Sequence, residues 1–298
     1  FGGKKFEQIG RLFRQSLYLL MCISLLGLLV LLSPYVILQW TQVPIELHRD
    51  IEAYLGLQAL ALPAALFFRL YSSLNQSIGK PRLVTWLQIG GLMAKIPLSI
   101  ALAFGVMGLA PMGLMGCALA TVLVTVGMAI WAIVKMKTSP LYEPFQLWQK
   151  LEPPDPAQLR QMARLGLPNG FSVLVEVTSF TLMALFIARL GTAASASHQI
   201  AASMTALLYM VPLSFSIAIS ARTSFWIGAR NALKMQEAIR IGFQFIALEA
   251  LGLASLIWLF SDQIAALYAK DASVSAMAAS LLITIGFYHL GDATQTLC

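Results

Sequence analysis

The chain has 298 residues, 58% of them hydrophobic and 11% charged, with a formal net charge of +7. A soluble domain carries about 25% charged residues, so this composition excludes an ordinary water-soluble fold and points to a protein that crosses a membrane many times. The positive balance is not that of a nucleic-acid-binding protein, because no basic cluster carries interleaved stacking aromatics and no zinc-finger spacing occurs.

The chain opens with FGGKKFEQIGRLFRQ, a basic stretch leading into the first apolar block, 15–38. Further blocks follow at 53–76, 83–106 and 113–135, and after a polar interval at 165–188, 200–221, 239–260 and 276–298. Each is long enough for a helix to cross the hydrocarbon core, which takes about 20 residues. None shows the strict alternation of a barrel strand, so helices are the structure that satisfies their backbone groups in lipid. The expected fold class is all-α, a polytopic membrane helical bundle.

Lys and Arg orient it. With the start in the cytoplasm, inside loops collect Lys4, Lys5, Arg11, Arg14, Lys80, Arg82, Lys135, Lys137, Lys150, Arg160, Arg164, Arg222, Arg230, Lys234 and Arg240; outside loops hold Arg49, Arg189 and Lys270. The positive-inside rule gives this orientation and accounts for the net charge. Cys22, Cys117 and Cys298 fall in separate spans without CxxC spacing, so neither a disulfide framework nor a metal site is expected. The chain starts at Phe1 and stops at Cys298 inside an apolar run, which reads as an internal piece of a longer protein.

The polar interval contains Pro140, Pro144, Pro153, Pro154 and Pro156, too many breaks for one helix. It reads as a linker with short amphipathic pieces, Phe145 and Trp148 resting at the membrane surface. The expected organisation is an N-terminal lobe at 1–138, a cytoplasmic linker at 139–164 and a C-terminal lobe at 165–298. FEQIGRLFRQ aligns with MQEAIRIGFQ, pairing Arg11 with Arg240 and Gln15 with Gln244, each after a Gly-basic loop. The lobes are therefore expected to be pseudo-symmetric parallel repeats, an arrangement that places substrates near the midplane between halves.

Glu176 lies in the middle of the fifth block, where a charge costs roughly 2.5–3.5 kcal/mol on insertion scales. Its helical neighbours Asn169, Ser172, Ser179, Phe180 and Met183 make one polar and polarisable stripe. Asp292 in the last block shares a face with Tyr288, Gln295 and Thr296. Each acid could instead be a helix-helix hydrogen-bonding residue. Two acids meeting in a dry pocket would repel one another, which suits the exchange of a proton for a cation. Glu249 has no polar stripe and reads as a packing or salt-bridge residue, and Arg69 as snorkelling. Lys95 sits centrally in its block and needs a partner or a water-filled space. LGDAT around Asp292 lacks the full motif of intramembrane aspartyl proteases, and no HExxH, GxSxG or P-loop occurs, so an enzyme is disfavoured and no cofactor is expected.

The runs RLGLPNGFSVLVEVTSFTLMALF, SHQIAASMTALLYMVPLSFSIAISARTSFWIGARN and FYHLGDATQTLC, with LALPAALFFRLYSSLNQSIGKPR and KIPLSIALAFG, resemble helices of the multidrug and toxic compound extrusion (MATE) family, in its NorM-like bacterial branch. The resemblance implies two six-helix lobes, of which this chain holds the third through tenth helices. It implies a monomeric secondary antiporter of the bacterial inner membrane that exports amphipathic organic cations against sodium ions or protons. A lipid-precursor or polysaccharide flippase of the same superfamily is the alternative. By resemblance Glu176 and Asp292 bind the coupling ion, with Na+ a candidate there. Tyr209 and Tyr288, with Phe180 and Met183, would line the substrate path, and Lys95 departs from the neutral polar residue common in relatives.

Overall fold

The computed structural model describes residues 1–35, 45–105 and 110–297. Eight helices long and apolar enough to cross a membrane occur among them. These are α1 (Phe6–Leu32), α2 (Ile45–Ser77), α3 (Pro81–Phe104), α4 (Leu114–Thr138), α5 (Pro156–Ala188), α6 (Thr192–Gly228), α7 (Ala232–Tyr268) and α8 (Ala272–Leu297). No strand is present among the described residues, so the fold is the all-α membrane bundle that the composition required. The expected span ends at 38, 106 and 298 lie outside the described residues. Two compact units divide within α5, between Ala163 and Arg164.

In the first unit the interval after α4 is no loose linker. Ser139 accepts from the Leu141 amide and opens a short 3-10 helix, Pro140–Phe145. Tyr142, Phe145 and Leu147 are buried in a core shared with Phe13, Phe68, Tyr71 and Met136. Phe145, expected on the membrane surface, is only 2% exposed, and its ring stands edge-on to Phe6 at 5.7 Å. Trp148 does remain exposed, with the Lys137 ammonium 4.9 Å from its ring centre. The correction has a local cause: α1 begins nine residues before its apolar block, and its extra turns give the 3-10 helix a surface to pack on. Gly10 permits the approach, because a side chain there would collide with the Phe145 carbonyl.

Polar contacts close this join. Arg14, 4% exposed, donates to the Gln146 carbonyl at 2.6 Å and pairs with Glu152 at 2.6 Å. Arg11 pairs with Asp155 at 3.1 Å, while Gln15 donates to the Pro153 carbonyl and accepts from the Asp155 amide. Asp155 also receives the Ala157 and Gln158 amides, capping α5, whose first residue is a proline. Residues 156–164, read as the end of the linker, are therefore the first turns of α5. Deeper in the unit, Tyr142 Oη donates to Asn75 Oδ1 at 2.8 Å, and Asn75 Nδ2 to the Tyr71 carbonyl at 2.8 Å. Burial makes such a network costly to leave half satisfied. Lys95 is half-buried on α3 and makes no ion pair among the described residues. Arg69 is exposed.

In the second unit α6, α7 and α8 pack on one another through small residues. Gly242, Ala250, Ala254 and Ala265 of α7 are buried, as are Ala278, Ala279, Gly286 and Ala293 of α8. In lipid, where apolar burial between helices supplies little drive, such residues let backbones approach. The Trp258 indole of α7 fills the space beside Gly286 and donates to the Ile283 carbonyl at 3.0 Å. Ser197 and Ser216 of α6 donate to the Val274 and Thr296 carbonyls of α8 at 3.0 and 2.7 Å. The backbone of α7 leaves helical geometry at Phe260, where its apolar block ends, and then resumes to Tyr268. By contrast, α5 buries none of its residues.

Candidate cation site

The exposed flank of α5 becomes one wall of a cavity. Glu176, Ser179, Phe180, Met183 and Ile187 recur at helical spacing and line a space of about 500 Å³ within the second unit. Its α6 wall carries His198, Ala201 and Thr205, and its α8 wall Leu281, Thr284 and Tyr288. The volume lies in the usual range for small-molecule sites, about 300–1,000 Å³. From Glu176 the cavity runs toward the C-terminal end of α5, twelve residues on, roughly 18 Å by helical rise. The carboxylate, exposed on α5, thus sits at one end of this lining and far from either terminus of its span.

Asp292 joins from α8. The Tyr288 hydroxyl donates to its Oδ1 at 3.3 Å, one turn away, and the Asp292 side chain is half-buried. Tyr209 of α6 and Tyr288 each interact electrostatically with both Glu176 and Asp292. Two carboxylates and two phenol oxygens from three helices therefore share one field. Such an oxygen set suits a small hard cation or a proton, while Phe180, Met183 and Tyr288 offer polarisable surface to an organic cation. No group of three or more His, Cys, Asp or Glu side chains suited to a metal ion occurs among the described residues.

The remaining expected residues lie elsewhere. Asn169 and Ser172 are exposed on α5 before Glu176, and the Ser172 hydroxyl donates to the Pro168 carbonyl at 3.0 Å. They share the helical stripe but lie outside the cavity lining. Gln295 is exposed and lies outside the lining. His198, six residues into α6, also lines the cavity. Glu249 of α7, read as a packing or salt-bridge residue, has His289 of α8 as its partner at 3.5 Å. His289 continues the buried stripe of Ala278, Leu282 and Gly286, so its burial was legible although its partner was not.

Comparison with known proteins identifies the family. The chain is 34% identical over 302 residues to a probable multidrug resistance protein NorM of Aromatoleum aromaticum, covering 99% of this chain and 64% of the relative. It is 33% identical over 287 residues to the multidrug resistance protein PmpM of Pseudomonas aeruginosa, covering 96% of this chain and 60% of the relative. The chain thus spans less than two thirds of the length of these curated relatives. Among solved structures, the eukaryotic MATE transporter AtDTX14 superposes with a TM-score of 0.86 over 99% of this chain and 65% of that one. At 17% identity that likeness shows the fold alone. The model of the MatE family matches residues 1–101 and 168–298, on both sides of the interval between α4 and α5 and through both candidate carboxylates, and the chain belongs to the MatE family.

Proposed function

We propose that the protein is a secondary active multidrug efflux antiporter of a bacterial inner membrane, exporting amphipathic organic cations in exchange for sodium ions or protons. The observation that carries this reading is Glu176 in the wall of a largely apolar cavity, mid-way along its span, sharing its field with Asp292 through Tyr209 and Tyr288. The names of the relatives, multidrug resistance proteins, support the substrate class.

The physical logic is competition for negative charge. A carboxylate in a membrane interior needs compensation by a proton, a metal cation or an organic cation, and it cannot serve two at once. Binding of the coupling ion at Glu176 and Asp292 removes the attraction that holds an organic cation, and an arriving organic cation displaces the ion. Phe180, Met183 and Tyr288 contribute apolar contact and cation-π attraction of roughly 0.5–2 kcal/mol for a good geometry. Flexible Met and planar rings adapt to many shapes, which suits broad rather than narrow recognition.

The test is transport of ethidium by the full-length protein in liposomes, with sodium and pH gradients imposed separately. Export of ethidium driven by either inward gradient is expected. Ethidium movement that ignores both gradients would overturn the antiporter reading.

A further inference from the structure

The exchange described above makes no use of Glu249 and His289, although both are titratable and both are enclosed. Glu249 Oε1 of α7 lies 3.5 Å from His289 Nε2 of α8, with side-chain exposures of 11% and 2%. Ile246, Ala250 and Ala293 form a buried apolar cluster on the same two helix faces, with Leu290 packed against it. Neither oxygen of Glu249 nor Nε2 of His289 makes a hydrogen bond among the described residues, so the 3.5 Å contact is their polar relationship. Buried groups left in this state call for an explanation.

A lone carboxylate or a lone imidazolium in this layer would be costly. The pair is therefore held at one shared proton, sitting either on Nε2 as an ion pair or on Oε1 as two neutral groups. The two forms carry the same net charge and differ only in where the positive end lies. That difference reaches Asp292, which follows His289 by three residues on α8, a spacing that makes side chains neighbours on a helix surface. The two groups interact electrostatically. An imidazolium at position 289 favours an empty, ionised Asp292, whereas a neutral imidazole leaves that carboxylate free to hold a cation.

We propose that Glu249 and His289 form an internal proton shuttle that senses whether Asp292 holds a cation. With Asp292 empty and ionised, the proton sits on His289 Nε2. When a cation binds at Asp292, the N–H bond breaks, its electron pair stays on Nε2 as a lone pair, and the proton forms an O–H bond with Glu249 Oε1. No proton leaves the pair and its net charge is unchanged. The imidazolium thereby lowers cation affinity, because its charge has to be withdrawn for the site to fill, and return of the proton to Nε2 favours release at the end of the cycle. His289 is a positioning residue in this scheme, acting on the cargo through Asp292.

The surroundings suit a private exchange. Tyr288 donates to Asp292, Tyr209 of α6 interacts electrostatically with that same carboxylate, and Glu176 of α5 acts on the two tyrosines. The other charged side chains of α7, Lys234, Glu237, Arg240 and Asp262, are nine or more residues from Glu249, about 13 Å or farther along the axis. On α6, His198 and Arg222 lie toward opposite ends of the helix.

This inference rests on the proposed cation site, and the experiment separates the two. Ethidium binding to the purified full-length protein is measured for Glu249→Gln, His289→Gln and Asp292→Asn, alongside infrared difference spectra on ethidium addition. Glu249→Gln strands an imidazole that stays neutral and His289→Gln removes it, so both are expected to tighten ethidium binding roughly fivefold or more. The wild-type spectrum should gain a protonated-carboxyl band on binding that is missing from Glu249→Gln. Unchanged or weaker binding in both variants, with Asp292→Asn still losing ethidium, overturns the shuttle alone; so does persistence of that band in Glu249→Gln. Wild-type affinity in Asp292→Asn overturns the cation site and the shuttle with it. If Glu249→Gln fails to fold, the direction of change in His289→Gln decides.

Discussion

Tyr288 donates its hydroxyl to Asp292 Oδ1 at 3.3 Å across one turn of α8, and the same tyrosine lines the cavity that Glu176 also lines. One side chain thus touches both the carboxylate on its own helix and the space that a substrate would fill. Asp292→Asn and Glu176→Gln are each expected to abolish gradient-driven ethidium efflux at normal membrane abundance, since the amide keeps shape and loses charge. Tyr288→Phe keeps the ring and removes one hydrogen bond to a charged group, so efflux should fall several-fold rather than vanish. Efflux at the wild-type rate by Glu176→Gln, with surface abundance measured in parallel, would return that glutamate to a role in packing.

The apolar wall should tune affinity rather than coupling. Phe180→Ala removes a ring beside Glu176 and is expected to raise the KM for ethidium roughly 2- to 30-fold, the range of one good cation-π contact. The ratio of ions exchanged per ethidium should stay the same. A changed ratio in reconstituted liposomes would mean that Phe180 shapes the ion site.

At the start of α5 the clamp around Arg14 is a matter of stability. Arg14→Ala removes the buried guanidinium from Glu152 and the Gln146 carbonyl, a loss of about 1.5–3 kcal/mol for a charge-assisted pair. The thermal midpoint of the purified protein should drop, while its ethidium affinity once folded should not move, because the contacts lie wholly in the first unit. Arg11→Ala, at a side chain far more open to solvent than Arg14, should cost far less.

Gly286 sets how closely α7 and α8 meet. A methyl there would run into the Trp258 indole and break its hydrogen bond to the Ile283 carbonyl. Gly286→Ala is expected to destabilise the second unit by about 1–3 kcal/mol through overpacking. Combining it with Trp258→Phe should recover part of the loss, a coupling that a double-mutant thermal series would detect.

Asp271 precedes α8 outside the membrane spans and accepts from the Ser273 hydroxyl at 2.7 Å and from the Ser273 and Val274 amides at 2.8 and 3.2 Å. The Ser273 hydroxyl first, and then the Val274 and Ser273 amides, hold its pKa below the ordinary carboxylate value. A depressed folded-state pKa gives stability that is fully present above the unfolded value, about 3.9, and is lost as pH falls through the lower folded one. Amide exchange at Ser273–Ser275, relative to the intrinsic rate at each pH, should therefore be protected at neutral pH and lose protection under acid. Asp271→Ala should remove the protection at every pH.

Whether a segment spans the membrane, and which residues share a face of one helix, follow from local chemistry, so composition and periodicity carried them. The apolar blocks became α1 to α8, and the end of one at Phe260 coincides with the break in α7. The stripe of Glu176, Ser179, Phe180 and Met183 needed only a 3.6-residue repeat. The cap on α5 was also written locally, in Asp155 before Pro156. What the stripe could not reveal was where the cavity stops: Asn169 and Ser172 are in phase yet excluded, because the limit depends on α6 and α8. The fate of Phe145 depended on the extra turns of α1 and on the missing side chain of Gly10, more than a hundred residues away in sequence. Glu249 and His289 are forty residues apart on different helices, and their contact exists because buried alanines and glycines let α7 and α8 approach closely. Pairings of that kind are energies of packing between helices, and no single segment encodes them.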